Sequence, residues 1–108
     1  MSAGIHTQPA AELLEQVDEF YAGYLPHYYG TEREGSRVIA HLEDPDTGKR
    51  RKYELSAQQV RDAFSKAVEK NYYLCCERDI REEGFGYGCA QDFDIIIQTA
   101  CYGELVFG

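Results

Sequence analysis

Carboxylates are the most numerous chemically active side chains in this chain. Glu12, Glu15, Asp18 and Glu19 form one set near the N-terminus; Glu77, Asp79, Glu82 and Glu83 form a second. Paired acids can transfer protons, hold a hard cation or present negative charge. Asp92 with Asp94, or Glu82 with Glu83, would be the pairs for proton transfer. A helix cap and solvated helix faces account for them better, and no calcium-loop spacing is present. His6, His27 and His41 lie in no nucleophile motif and read as ordinary surface or strand residues. Cys75 and Cys76 are adjacent, Cys89 stands apart, and Cys101 falls on an apolar stripe. With no C-x-x-C pair and no histidine at ligand spacing, zinc is not expected; the thiols read as reduced, packed small hydrophobes. Gly84, Gly86 and Gly88 lack the phosphate-loop spacings and sit among acids. That stretch reads as an aromatic loop presenting Tyr87. No catalytic residue, cofactor or metal is expected.

What remains is charge as a recognition device. Eleven Lys and Arg against nineteen Asp and Glu leave −8, unevenly spread. Residues 1–32 hold five acids and no base, residues 33–72 nine bases and seven acids, residues 73–108 two bases and seven acids. Such a chain repels nucleic acid and anionic membranes and attracts basic surfaces. On a helix, Glu12, Glu15 and Glu19 are separated by about 4.5 and 6 Å of rise. A nucleic-acid strand presents a phosphate about every 3.4 Å. The carboxylates therefore match some sites that a basic groove reserves for phosphates. Nine tyrosines add contact area at low entropy cost. Tyr21 and Tyr24 belong to a buried stripe; two or three of Tyr28, Tyr29, Tyr72, Tyr73 and Tyr87 are expected as exposed contacts. Lys49–Lys52 is expected to be neutralised by Glu43, Asp44 and Asp46 across a turn.

These groups need a scaffold. Leu13, Val17, Phe20, Tyr21 and Tyr24 predict a helix over Gln8–Tyr24, capped by Thr7 and ended by Pro26. Tyr28 and Tyr29 suit a short strand, and Thr31–Gly35 reads as a loop. Arg37–Leu42 alternates, Glu43–Gly48 is turn chemistry, and Lys49–Leu55 returns, which predicts a β-hairpin. Ser56 and Gln59 form a capping box for a helix ending near Lys70 or Asn71, with Leu55 and Val60 at the staple positions. Tyr72–Cys76 suits a buried strand; Glu77–Glu83 is helical or extended. Asp92 is expected to cap a last helix with Phe93, Ile96, Ile97, Ala100 and Cys101 on its buried stripe. Gly103 ends it, and Leu105–Phe107 docks as a strand or tail. The chain is predicted to be a single α+β domain: an antiparallel β-hairpin sheet packed with about three helices, its core assembled on the last seventeen residues. Met1–Ala10 lacks the basic and apolar regions of a signal peptide, and no window reaches a membrane span, so the cytoplasm is the expected compartment.

The ending Asp94–Gly108, with Ile95-Ile96-Ile97-Gln98-Thr99-Ala100 leading into Tyr102-Gly103-Glu104-Leu105-Val106-Phe107-Gly108, resembles the closing segment of small acidic proteins carried by bacterial phages and plasmids. The hairpin followed by Leu55-Ser56-Ala57 is similar to that group as well. Tyr102 and Phe107 exchange the aromatic types of its pattern. The resemblance covers about half of the chain, looks structural, and transfers no active residue. It implies a bacterial host cell and a non-catalytic inhibitor of host defence, of the anti-CRISPR or anti-restriction type. Its partner would be a host protein or ribonucleoprotein complex with a basic surface, with no direct contact to nucleic acid or membrane. An immunity protein or antitoxin neutralising a basic toxin enzyme is the alternative with the same electrostatics.

Overall fold

The computed structural model describes residues 4–19 and 27–107. Three strands, β1 (Tyr28–Glu34), β2 (Arg37–Glu43) and β3 (Arg50–Leu55), form an antiparallel sheet in the order β1-β2-β3. Four helices accompany it: α1 (Ala10–Glu19), α2 (Ala57–Glu69), α3 (Glu77–Glu83) and α4 (Ala90–Tyr102), with a short 3₁₀ turn at Phe85–Tyr87. The architecture is α+β. Among the described residues no helix is long and apolar enough to cross a membrane.

The hairpin forms as its alternation predicts. Val38 pairs with Leu55, Ala40 with Tyr53 and Leu42 with Arg51, which aims Val38, Ala40, Leu42 and Leu55 into the core. The short strand expected at Tyr28-Tyr29 is the start of β1, which runs on to Glu34. Thr31–Glu34 is not a loop: it pairs with Arg37–Ala40 across a tight turn at Gly35-Ser36. Gly35 takes φ 60°, the left-handed conformation such a turn favours. The strand is polar because it lies at the sheet edge and its second half is solvent-exposed. The β1–β2 register shifts between Tyr28 and Gly30, where Tyr29 stands exposed.

On the inner face, α2 and α4 pack against each other, α4 reaches β3, and α1 lies over β1, β2 and α2. The Ser56–Gln59 capping box closes the start of α2 as predicted, and Lys70 ends it. Leu55 and Val60 are both buried. The helix α4 is the centre of the core, and its buried surface is broader than one stripe: Ile95, Ile96, Ile97, Gln98 and Thr99 are all buried, while Ala100 and Cys101 are half-buried. Truncating a buried aliphatic of this size costs about 2–5 kcal/mol. Gly103 closes α4 at φ 82°.

Four expectations need correction. The first helix starts at Ala10, after Gln8 and Pro9; Thr7 does not cap it, because its hydroxyl donates back to the Gly4 carbonyl. Phe20, Tyr21, Tyr24 and Pro26 lie outside the described residues. Tyr72–Cys76 forms no strand: Leu74 is buried, Tyr73 is exposed, and Cys75-Cys76 turns into α3. Gly84–Gly88 is partly a 3₁₀ turn, because Phe85 is fully buried and stacks on Phe93 at 4.6 Å. Asp92 is not the first cap residue of α4: Cys89 holds that position, and Asp92, three residues on, completes the capping box by accepting from the Cys89 N–H.

Leu105–Phe107 docks as a tail. The Oε1 of buried Gln98 accepts hydrogen bonds from the backbone N–H of Val106 (3.0 Å) and Phe107 (2.8 Å), and its Nε2 donates to the Phe107 carbonyl and to Asp94 Oδ1, both at 2.9 Å. Phe107 stacks on His27 at 4.8 Å, and His27 Nε2 lies 2.9 Å from Asp94 Oδ1. Gln98→Leu is expected to lower stability by about 2 kcal/mol, since backbone groups lose their partner. Hydrogen exchange at Val106 and Phe107 should accelerate in that variant; unchanged protection would refute the tether.

Candidate functional site

On α1, Leu13, Leu14 and Val17 are buried. With 3.6 residues per turn, that places Glu12, Glu15 and Glu19 on the opposite side, and all three are exposed. Asp18 flanks them, half-buried, with its backbone carbonyl accepting from Thr31 Oγ1 at 2.9 Å. Among the described residues none of these four carboxylates takes part in an ion pair.

Two glutamines fasten the aromatic turn to this helix. Gln8, 2% exposed, accepts from the Phe85 N–H at 2.9 Å and donates to Gln16 Oε1 at 3.0 Å. Gln16 Oε1 also accepts from the Gly86 N–H at 3.0 Å. A Cβ on Gly86 would lie 2.9 Å from Gln16 Nε2, so only glycine allows this approach without displacing the amide. Gln16 is four residues from Glu12 and three from Glu19, the spacings of helix-surface neighbours. The next residue after Gly86 is Tyr87, 58% exposed. The turn that carries Tyr87 is therefore held against the helix that carries these acids. Neither glutamine carried a recognisable signal in the sequence, because the pairings span 70 and 77 positions. Among the described residues Tyr29 and Tyr73 are the other exposed tyrosines, as expected of two or three of the tyrosines that the pattern leaves unconstrained.

The second acidic set is partly spent. Arg81 pairs with Glu77 at 2.8 Å and Arg78 with Glu82 at 3.3 Å, both one turn apart on α3. Four acids less two arginines leave −2 on that helix. Asp79 is exposed and Glu83 half-buried. The helix is held from below by Ile80, fully buried, and by the Ile5 N–H donating to the Ile80 carbonyl at 3.1 Å.

Arg37, Arg50 and Lys52 lie on the outer side of the sheet and Arg51 on the inner side; among the described residues only Arg51 of the run Lys49–Lys52 pairs with an acid of the turn, so the expected neutralisation is partial. Arg37 meets Glu54 at 2.7 Å and Arg51 meets Asp44 at 3.4 Å. Arg50 Nε donates to His41 Nδ1 at 3.3 Å, which leaves His41 Nε2 to donate to Glu32 Oε1 at 3.0 Å. That hydrogen bond from His41 holds the Glu32 carboxyl below the usual glutamate range. A depressed carboxylate stabilises the folded state above its unfolded pKa and loses that contribution as pH falls through the folded value. Carbon NMR should show Glu32 titrating low, and His41→Ala should return it toward the ordinary range.

A cluster of thiols was not visible in the sequence. The sulfurs of Cys75, Cys76 and Cys89 all lie within 4.8 Å of one another. Asp92, fully buried, draws them together: its Oδ1 accepts from the Cys75 N–H at 2.7 Å, and its Oδ2 from those of Cys76 at 2.9 Å and Cys89 at 3.2 Å. Burial, and then the hydrogen bond with Cys75, push the Cys76 thiol up to about 12. Burial alone pushes Cys101 to about the same value. All four cysteines are free thiols.

Compared with known proteins, the chain finds no match among family models, curated proteins or solved structures.

Proposed function

We propose that this chain is a non-catalytic inhibitor that docks on a basic, nucleic-acid-handling surface of a bacterial defence complex, in the manner of an anti-CRISPR or anti-restriction protein. The observation that carries the reading is the exposed Glu12–Glu15–Glu19 face of α1, unpaired among the described residues, on the helix against which the Tyr87 turn packs. Carboxylates without internal partners are free to meet arginines and lysines of another molecule. Opposite charge steers encounter and fixes orientation, and an exposed tyrosine beside it supplies contact area with one hydrogen-bonding tip. Asp18 flanks that face, and Asp79 and Glu83 belong to a second acidic patch on α3. Glu77 and Glu82 contribute less, because breaking an internal pair offsets part of a new one. The bacterial-defence setting rests on the likeness of the C-terminal segment to phage and plasmid proteins.

The reading is tested by pull-down against purified CRISPR effector and restriction complexes at two salt concentrations. Capture at low salt and release at high salt is the expected result, since exposed charges more than a Debye length apart are screened. Capture of none of these complexes, or capture indifferent to salt, would reject it.

A further inference from the structure

We propose that Cys75, Cys76 and Cys89 form a three-thiolate site for one soft d¹⁰ cation, Cu(I) or Zn(II). Two of the sulfurs come from the turn before α3 and the third from the residue that opens α4. Thirteen or more positions separate Cys89 from the other two, so nothing local forces the approach. The fold nevertheless gathers the three sulfurs within 4.8 Å of one another. A metal at about 2.3 Å from each of three sulfurs holds them roughly 4 Å apart. The observed spacing therefore closes on an ion by small side-chain rotations.

The supporting group is Asp92. It is fully buried, and its two oxygens are engaged by the backbone N–H groups of the same three cysteines. One carboxylate thus fixes the backbone at all three ligand positions. That is the role a carboxylate plays when it orients metal ligands without binding the metal. Thiolates select soft ions over calcium or magnesium. A cation also offsets the negative charge that three thiolates would gather around Asp92. Cys75 is exposed and the other two are half-buried, which gives an ion a way in. Residues 77–88 lie between the ligands, so a bound ion would close a loop around α3 and the Tyr87 turn and stiffen both.

The test uses the full chain, fully reduced and free of oxygen. Cu(I) and Zn(II) are offered separately, each against a chromophoric chelator, and X-ray absorption counts the sulfur neighbours of the ion retained. One equivalent of one ion with three sulfur neighbours is the expected result, and the ion retained names the occupant. Cys75→Ser, Cys76→Ser and Cys89→Ser should each weaken retention by more than the roughly tenfold that loss of a supporting partner costs. Cys101→Ser should leave it unchanged. Retention of neither ion, a count of two sulfurs, or full retention by Cys89→Ser would overturn the proposal. The wild-type count decides the matter even where a serine variant fails to fold.

Discussion

Changing Glu12, Glu15 and Glu19 together to lysine is expected to weaken binding to a basic partner by about a hundredfold or more, with the fold intact. The three side chains are exposed and, among the described residues, free of ion pairs, so reversing them breaks none of the described pairs. The principal internal cost is a cation near the start of α1 at position 12, about 0.3–1 kcal/mol. Against a basic surface the change is larger, because attraction becomes repulsion at three neighbouring points. Like charges across an interface cost several kcal/mol, and each 1.4 kcal/mol is about tenfold in affinity. The triple variant should melt close to the wild type and lose binding. Full binding by the folded variant would remove α1 from the interface. Doing the same at Asp79, Glu82 and Glu83 should cost less, because Arg78 already neutralises Glu82.

Asp92→Ala is expected to cost about 3 kcal/mol of stability, more than any change on the acidic surface. The side chain is wholly buried and accepts three backbone hydrogen bonds. Each donor left without its acceptor costs about 1 kcal/mol or more. In a chain of 108 residues, 1 kcal/mol corresponds to about 4–8 °C in Tm. A drop of roughly 12–24 °C should appear in a melt with chelator present, so that no metal contributes. Asp92→Asn keeps one acceptor oxygen and should fall between the two. A loss below about 1 kcal/mol in Asp92→Ala would show that the turn at Cys75-Cys76 is held by other means.

The elements that could be read in advance are those whose signals are local. Ser56 and Gln59 cap α2 because both partners lie within one turn. The β2–β3 hairpin follows from alternation flanking a Pro-Asp-Thr-Gly turn. Gly103 ends α4 because only its neighbours decide that conformation. The misreadings share a different cause. Thr31–Glu34 is polar, and only its pairing with β2 makes it a strand. Tyr72–Cys76 is apolar, yet it turns because Asp92, sixteen and seventeen residues away, binds its N–H groups. Asp92 reads as a cap from its position before an apolar run, and it does close the Cys89 N–H at the start of α4, but it serves distant backbone as well. For the candidate site, periodicity alone turned Glu12, Glu15 and Glu19 outward. The docking of the Tyr87 turn on their helix depends on Gln8 and Gln16, two amides with no pattern around them. The thiol cluster was hidden for the same reason: spacing along the chain says little about three sulfurs that meet through a fold.

The proposed docking would put this molecule in a place where a polyanion would otherwise lie. The direct measurement is displacement of a fluorescent DNA duplex from whichever defence complex the pull-down retains, followed by polarisation as the protein is added. Complete release of the duplex is expected, at protein concentrations that rise steeply with salt. A stable ternary complex, with the duplex still bound while the protein saturates its site, would contradict it.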